Sequence, residues 1–80
     1  MTVRVLLFAS FADAIGAPEV RVDVPDGARV HDVLARIRAL TVGHRVPEKP
    51  LVAVNQRYAR LDQTVSSTDE VAIIPPVAGG

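Results

Sequence analysis

The sequence has no cysteine, which excludes disulfides, thiolate metal sites and any thiol nucleophile among its own side chains. An excess of charge of one sign is also missing. Nine basic and nine acidic residues cancel, so no electrostatic footprint recruits nucleic acid or an anionic lipid surface. The longest apolar run, Val5-Leu6-Leu7-Phe8-Ala9, is far below the roughly 18 residues that span a bilayer. Met1 leads directly into an alternating pattern, without the charged, apolar and cleavage regions of a signal peptide. The expectation is a soluble, cytoplasmic chain with neither nucleic acid nor membrane as partner. His31 and His44 are the only histidines, too few and too distant for the three or four convergent ligands of zinc, so no metal site is expected. No glycine-rich phosphate loop or Ser/His/Asp set is present. At 80 residues the chain forms one domain that buries about 60% of its unfolded surface, leaving little room for an internal active site.

What is present is a succession of short periodic segments. Thr2 to Phe8 sets Val3, Val5 and Leu7 against Arg4, Leu6 and Phe8, the alternation of a strand with one apolar and one mixed face. Ser10-Phe11-Ala12-Asp13 resembles a capping box opening a short helical turn, closed by Gly16 and then Pro18. Glu19 to Val24 alternates Val20, Val22 and Val24 with Arg21 and Asp23 as a second strand, ended by the turn residues Pro25-Asp26-Gly27. Val30, Val33, Leu34, Ile37 and Leu40 form one helical stripe. Asp32 suits the positive end of that helix, and Arg36 and Arg38 lie off the stripe. Gly43 to Pro50 reads as a loop, Leu51 to Val54 as a third strand, Asn55-Gln56-Arg57 as a turn into a brief strand around Tyr58, and Val71 to Ile74 as the last strand. One main helix among these strands is too few for alternating α/β units. The order predicts an α+β fold, a mixed sheet packed on one main helix in the ubiquitin-like β-grasp arrangement. Strands one and two are expected to pair as a hairpin, with a helix crossover to the third.

Residues 1–74 are read as the folded domain and 75–80 as an extended tail. Pro75 and Pro76 each fix φ and remove an N–H, stopping the strand and stiffening the start of the tail. Gly79-Gly80 then ends the sequence with a carboxylate that has no side chain beside it, able to enter a narrow channel. A frayed tail is the alternative reading of two glycines, but such a tail has no use for a polyproline-like spacer. In a chain without cysteine, any carried sulfur has to sit on that terminus. Within the domain, parity places Leu6 and Phe8 on the face opposite Val3, Val5 and Leu7, where no second layer is available to cover them. Phe8, Tyr58 and Ile74 are the candidate members of an exposed apolar docking surface.

From Val3 to Gly80 the chain resembles the molybdopterin synthase small-subunit family, the sulfur-carrier branch of the ubiquitin-like proteins. The resemblance is carried by Val5-Leu6-Leu7-Phe8-Ala9, Val52-Ala53-Val54-Asn55-Gln56, Asp69-Glu70-Val71 and, most specifically, Pro75-Pro76-Val77-Ala78-Gly79-Gly80. It implies that Gly80 is adenylated with ATP by a ubiquitin-activating-like adenylyltransferase and converted to a thiocarboxylate, with a sulfurtransferase or cysteine desulfurase as the sulfur source. It further implies sulfur donation to a pterin precursor (cyclic pyranopterin monophosphate) in the active site of a large subunit, within a heterotetramer. Gly79, Ala78, Val77, Pro76 and Pro75 would line the tail, and Phe8, Tyr58 and Ile74 match the family's apolar contact positions. The chain would bind no cofactor and would donate sulfur without itself being catalytic. Two departures stand out. Ile73-Ile74 replaces a common pair of phenylalanines. Arg29 occupies a helix-capping position where a hydroxyl is usual, so that end should fray or borrow a cap from Asp26. The alternatives are a carrier serving thiamine or cysteine synthesis, a ubiquitin-like modifier attached to lysines, and a plain interaction module. The chain's own single lysine is Lys49.

Overall fold

Alternation in the first strand becomes alternation of burial. In β1 (Thr2–Leu7), Val3, Val5 and Leu7 are buried while Thr2 and Arg4 are exposed. The computed structural model describes residues 1–40 and 50–74. The loop expected from Gly43, with His44 and Lys49, and the tail Pro75 to Gly80 lie outside the described residues. β1 leads into α1 (Ala9–Ile15), then β2 (Glu19–Asp23), α2 (Val30–Leu40), β3 (Leu51–Val54), β4 (Arg57–Tyr58) and β5 (Glu70–Ile74).

The strands form one five-stranded sheet in the order β2-β1-β5-β3-β4. β1 and β2 pair antiparallel with Val3 opposite Val22, as expected of consecutive strands, although α1 sits in their connection. β1 and β5 run parallel with Val5 opposite Val71, and β3 lies antiparallel to β5 with Val52 opposite Ile73. The sheet is therefore mixed, with the first and last strands of the chain at its centre. α2 contributes Val33, Leu34 and Ile37 to a core completed by Val3, Val5, Val71, Ile73 and Val52, each at most 2% exposed. Burial of a side chain of this size stabilises by about 1.5–3 kcal/mol, so the helix-facing side of the sheet holds the domain together.

Three turns are set by backbone conformation. Gly16 closes α1 in the left-handed region at φ 87°, its N–H donating to the Ala12 carbonyl, as its position predicts. Gly27 at φ 82° completes the turn in which the Ala28 N–H donates to the Pro25 carbonyl at 3.1 Å. Asn55 and Gln56 take φ of 52° and 70°, the two positive values of a primed turn joining β3 to β4.

Two expectations about helix caps are corrected. Ser10 does not open α1: the helix starts at Ala9 with Phe8 at its N-cap, extended at φ −127°, and with no side-chain cap. The chain keeps strand geometry through Phe8 and turns immediately, which places Ser10 inside the helix. The start of α2 neither frays nor uses Asp26. Asp32 reaches back to accept the Arg29 N–H at 2.8 Å, half of a capping box. The Val30 and His31 N–H groups donate to the carbonyls of Gln63 and Leu61 at 2.9 Å each. Donors left over at a helix start have to find acceptors, and here a distant loop supplies them.

Candidate functional site

On the face of the sheet away from α2, register aligns the alternate residues into rows. Leu6 of β1 is opposite Ala72 of β5, Ala72 is opposite Ala53 of β3, and Ala53 is opposite Tyr58 of β4. The two alanines make a low floor between larger side chains. The next row holds Leu51 opposite Ile74, with Phe8 just beyond the end of β1. Phe8 is 47% exposed, Leu51 48% and Tyr58 77%, whereas Ala53 is 7% exposed despite its outward register. The result is an apolar groove of about 550 Å³ lined by Leu6, Phe8, Ala53, Gln56, Tyr58, Glu70, Ala72 and Ile74. Exposed apolar surface gathered into one groove, rather than scattered, marks a place where another molecule docks.

The structure thus brings Phe8, Tyr58 and Ile74 to one groove. β1 delivers Phe8 at the edge of the sheet's outer face, the tight turn at Asn55-Gln56 folds Tyr58 back over β3, and Ile74 is the last residue of the central β5. Ile74, which lines the groove, is also the last described residue before Pro75. Gly80, Gly79, Ala78, Val77, Pro76 and Pro75 lie outside the described residues.

One end of the groove is polar and ordered. Arg4 lies between two carboxylates: its guanidinium is hydrogen-bonded to Glu70 Oε2, and its Nε is 3.4 Å from Glu19 Oε1. The backbone N–H of Glu70 donates to Asn55 Oδ1 at 3.0 Å, and the Asn55 side-chain amide donates to Asp69 Oδ1 at 2.8 Å. Asp69 in turn accepts the Ser66 N–H at 2.8 Å. Asn55 therefore does two jobs. It tolerates the left-handed conformation, and it ties the β3–β4 turn to the start of β5, which fixes Tyr58 and Glu70 on the same groove. Sequence reasoning did not place Ala53, Ala72, Gln56 or Glu70 at the site. Parity from Ile74 would have found Ala72, but the part played by Asn55 depends on a contact with no periodic signal. Among the described residues no three His, Asp or Glu side chains converge as a metal site would require. No helix among them is long and apolar enough to cross a membrane.

A mixed sheet clasping one main helix, with an apolar groove on its opposite face that Ile74 helps to line, defines a ubiquitin-like β-grasp protein. The likeness extends to the whole chain: a crystal structure of SAMP1 from Haloferax volcanii superposes with a TM-score of 0.83 at 29% identity, covering all of both chains. The chain belongs to the ThiS family, whose profile matches residues 5–80. It is 37% identical to the molybdopterin synthase sulfur carrier subunit of Chlamydomonas reinhardtii over the full length of both. It is 36% identical to that of Dictyostelium discoideum, covering 96% of this chain and 94% of the relative.

Proposed function

We propose that this chain is the sulfur carrier of a cytoplasmic molybdopterin synthase. The observation that carries the reading is the joining of the apolar groove to the tail: β5 ends at Ile74 in the groove wall, and Pro75 to Gly80 come directly after it. A partner that covers Phe8, Tyr58 and Ile74 receives the tail at the same time. The full-length likeness to two proteins named as sulfur carriers of this synthase supports the choice of partner.

In this mechanism the Gly80 carboxylate oxygen attacks the α-phosphorus of ATP in a ubiquitin-activating-like adenylyltransferase and displaces pyrophosphate. The carboxylate is a poor electrophile, and the mixed anhydride supplies a good leaving group. The outer sulfur of a persulfide on a sulfurtransferase or cysteine desulfurase then displaces AMP, and a thiol reduces the resulting acyl disulfide, releasing the C-terminal thiocarboxylate and a disulfide. Docked on the large subunit in a heterotetramer, the thiocarboxylate sulfur attacks a carbon of cyclic pyranopterin monophosphate and displaces the oxygen bound there, protonated by the large subunit as it leaves, to form a thioester link from Gly80 to the pterin. Water then cleaves the acyl link, which leaves the sulfur on the pterin and regenerates the Gly80 carboxylate. The chain binds no cofactor, and the acid and base groups belong to the large subunit. Ordering the tail on docking costs about 1–2 kcal/mol per residue in backbone entropy, and burial of the groove offsets this.

The test is the intact mass of the chain after incubation with ATP, a sulfur source and the activating enzyme, compared with a chain lacking Gly80. A gain equal to exchange of one oxygen for sulfur, confined to the full tail, is expected. Sulfur should then pass to the pterin precursor when large subunit is added. No gain with an enzyme that is active on another carrier would overturn the reading. The likeness to SAMP1 favours a second reading, a modifier joined to lysines of other proteins, and a covalent conjugate in place of sulfur transfer would mark it. Transfer to a thiamine or cysteine precursor in place of the pterin would identify a carrier for those products.

A further inference from the structure

β2 is the first strand of the sheet, and its outer edge faces no other described strand. Hydrogen bonding to β1 shows which of its backbone groups are free. The Met1 nitrogen donates to the Val24 carbonyl at 2.7 Å, the Val24 N–H returns a bond to Met1 at 2.9 Å, and the Leu7 N–H donates to Pro18 at 2.8 Å. Bonded and non-bonded pairs alternate along an antiparallel ladder. With Val3 opposite Val22 and Val5 opposite Val20, the even-numbered residues of β2 bond to β1. The N–H and C=O groups of Glu19, Arg21 and Asp23 therefore point outward along the open edge.

Beside this edge, a groove of about 230 Å³ runs between β2 and the last turns of α2, lined by Arg21, Val22, Asp23, Arg36, Ala39 and Leu40. Leu40 is 52% exposed and provides an apolar wall. Arg21 and Arg36 are exposed, and neither has an ion pair or side-chain hydrogen bond among the described residues. The one carboxylate in the groove, Asp23, already accepts a hydrogen bond from Thr2 Oγ1 at 2.8 Å. Arg36 thus presents an unpaired guanidinium on the α2 side of this edge, and Arg21, in register with Arg4, presents another on the opposite face of the sheet.

We propose that the β2 edge and this groove form a second docking site, which takes an extended acidic segment of a partner protein as an added strand. Its main chain bonds to Glu19, Arg21 and Asp23. A carboxylate opposite Arg21 answers the cross-strand charge, the flanking β-branched residues face Val22, Ala39 and Leu40, and a further acid reaches Arg36. A second copy of the chain fits poorly. The register that pairs all of β2 with itself sets Arg21 against Arg21 and Glu19 against Asp23, like charges directly opposite. No residue of β2 lines the groove at Phe8, Tyr58 and Ile74, so both surfaces can be occupied at once. One partner holds the domain at β2 while another works at the tail. The proposal does not depend on what the tail carries.

The probe is a peptide with the palindromic order glutamate, threonine, valine, glutamate, valine, threonine, glutamate, which serves either strand direction. It is titrated into the full isotope-labelled chain and monitored by amide chemical shifts. Saturable shifts confined to Glu19–Asp23 and Arg36–Leu40 are expected, together with loss of binding when lysine replaces each glutamate in the peptide. Arg21→Glu and Arg36→Glu should each weaken binding by about tenfold or more, while Arg60→Glu, an equal charge change elsewhere, should leave it unaltered. The spectra report at the same time whether each variant is folded. Absence of saturable shifts, shifts at Leu6 and Ala72 instead, equal binding of the lysine peptide, or dimerisation through β2 in sedimentation would each overturn the proposal.

Discussion

The two faces of the sheet use the same strands and differ in every physical respect. Towards α2, Val3, Val5, Val71 and Ile73 have no exposed surface. On the other side the same strands present Arg4, Leu6, Glu70, Ala72 and Ile74, all partly or fully accessible. The first face is filled by a helix of the same chain, whereas on the second Phe8 and Tyr58 remain exposed among the described residues. In a domain this small, with one main helix, only one side of the sheet can be covered from within. The uncovered side is free to serve recognition, and it can change with little effect on stability.

That contrast predicts a graded set of responses. Ile73→Ala removes a side chain with no exposure from the helix-facing side. It should cost about 2–5 kcal/mol, measured as a fall in the denaturant midpoint with unchanged slope. Gly16→Ala meets no atom within 4 Å but keeps φ at 87°, so its cost is backbone strain alone, about 1–2 kcal/mol. A loss that vanished when glycine was replaced by asparagine, which tolerates this conformation, would tie it to φ. Arg4→Ala breaks an ion-pair cluster on the outer face. Its side chain is 43% exposed and solvent screens the pairs, so unfolding should shift by no more than about 1 kcal/mol and less as salt is added. Tyr58→Ala should move stability least, within about 0.5 kcal/mol, because the ring is 77% exposed. It should nevertheless weaken binding to the large subunit of the proposed synthase, measured by calorimetry. A Tyr58 variant that unfolded the domain, or an Ile73 variant that did not, would remove the distinction between the faces.

Much of the local structure was legible in the residue pattern. The apolar stripe from Val30 to Leu40 coincides with α2, and Leu51 to Val54 is β3 as its apolar run predicts. Gly16 ends its helix and Asn55-Gln56 turns the chain where turn chemistry places them. One misreading is local, and the other concerns partners distant in sequence. Ser10 has the composition of a cap, yet the strand geometry that continues through Phe8 decides where α1 begins. Arg29 cannot cap α2, and the acceptors come from Asp32 locally and from Leu61 and Gln63 across the fold.

For the candidate site, parity along β1 and β5 was enough to nominate Phe8 and Ile74, since alternation is built into a strand's geometry. The alanine floor and the charged end escaped notice. Ala53 and Ala72 carry no local signal of function and matter only as neighbours in one row, and Arg4 meets Glu70 across 66 positions of sequence.

The sequence by itself determined which elements occur and in what order, which residues of each strand share a face, and which chemistry is closed to a chain without cysteine. These are consequences of periodicity, turn propensity and composition, all properties of neighbours along the chain. The tertiary structure alone decided that β1 and β5 lie side by side in parallel, that two alanines are neighbours in the row that ends at Tyr58, and that β2 pairs with no second strand among the described residues. Strand order and register join residues far apart in the chain, and they are set by the packing of one face of the whole sheet against α2, which no short stretch of sequence encodes.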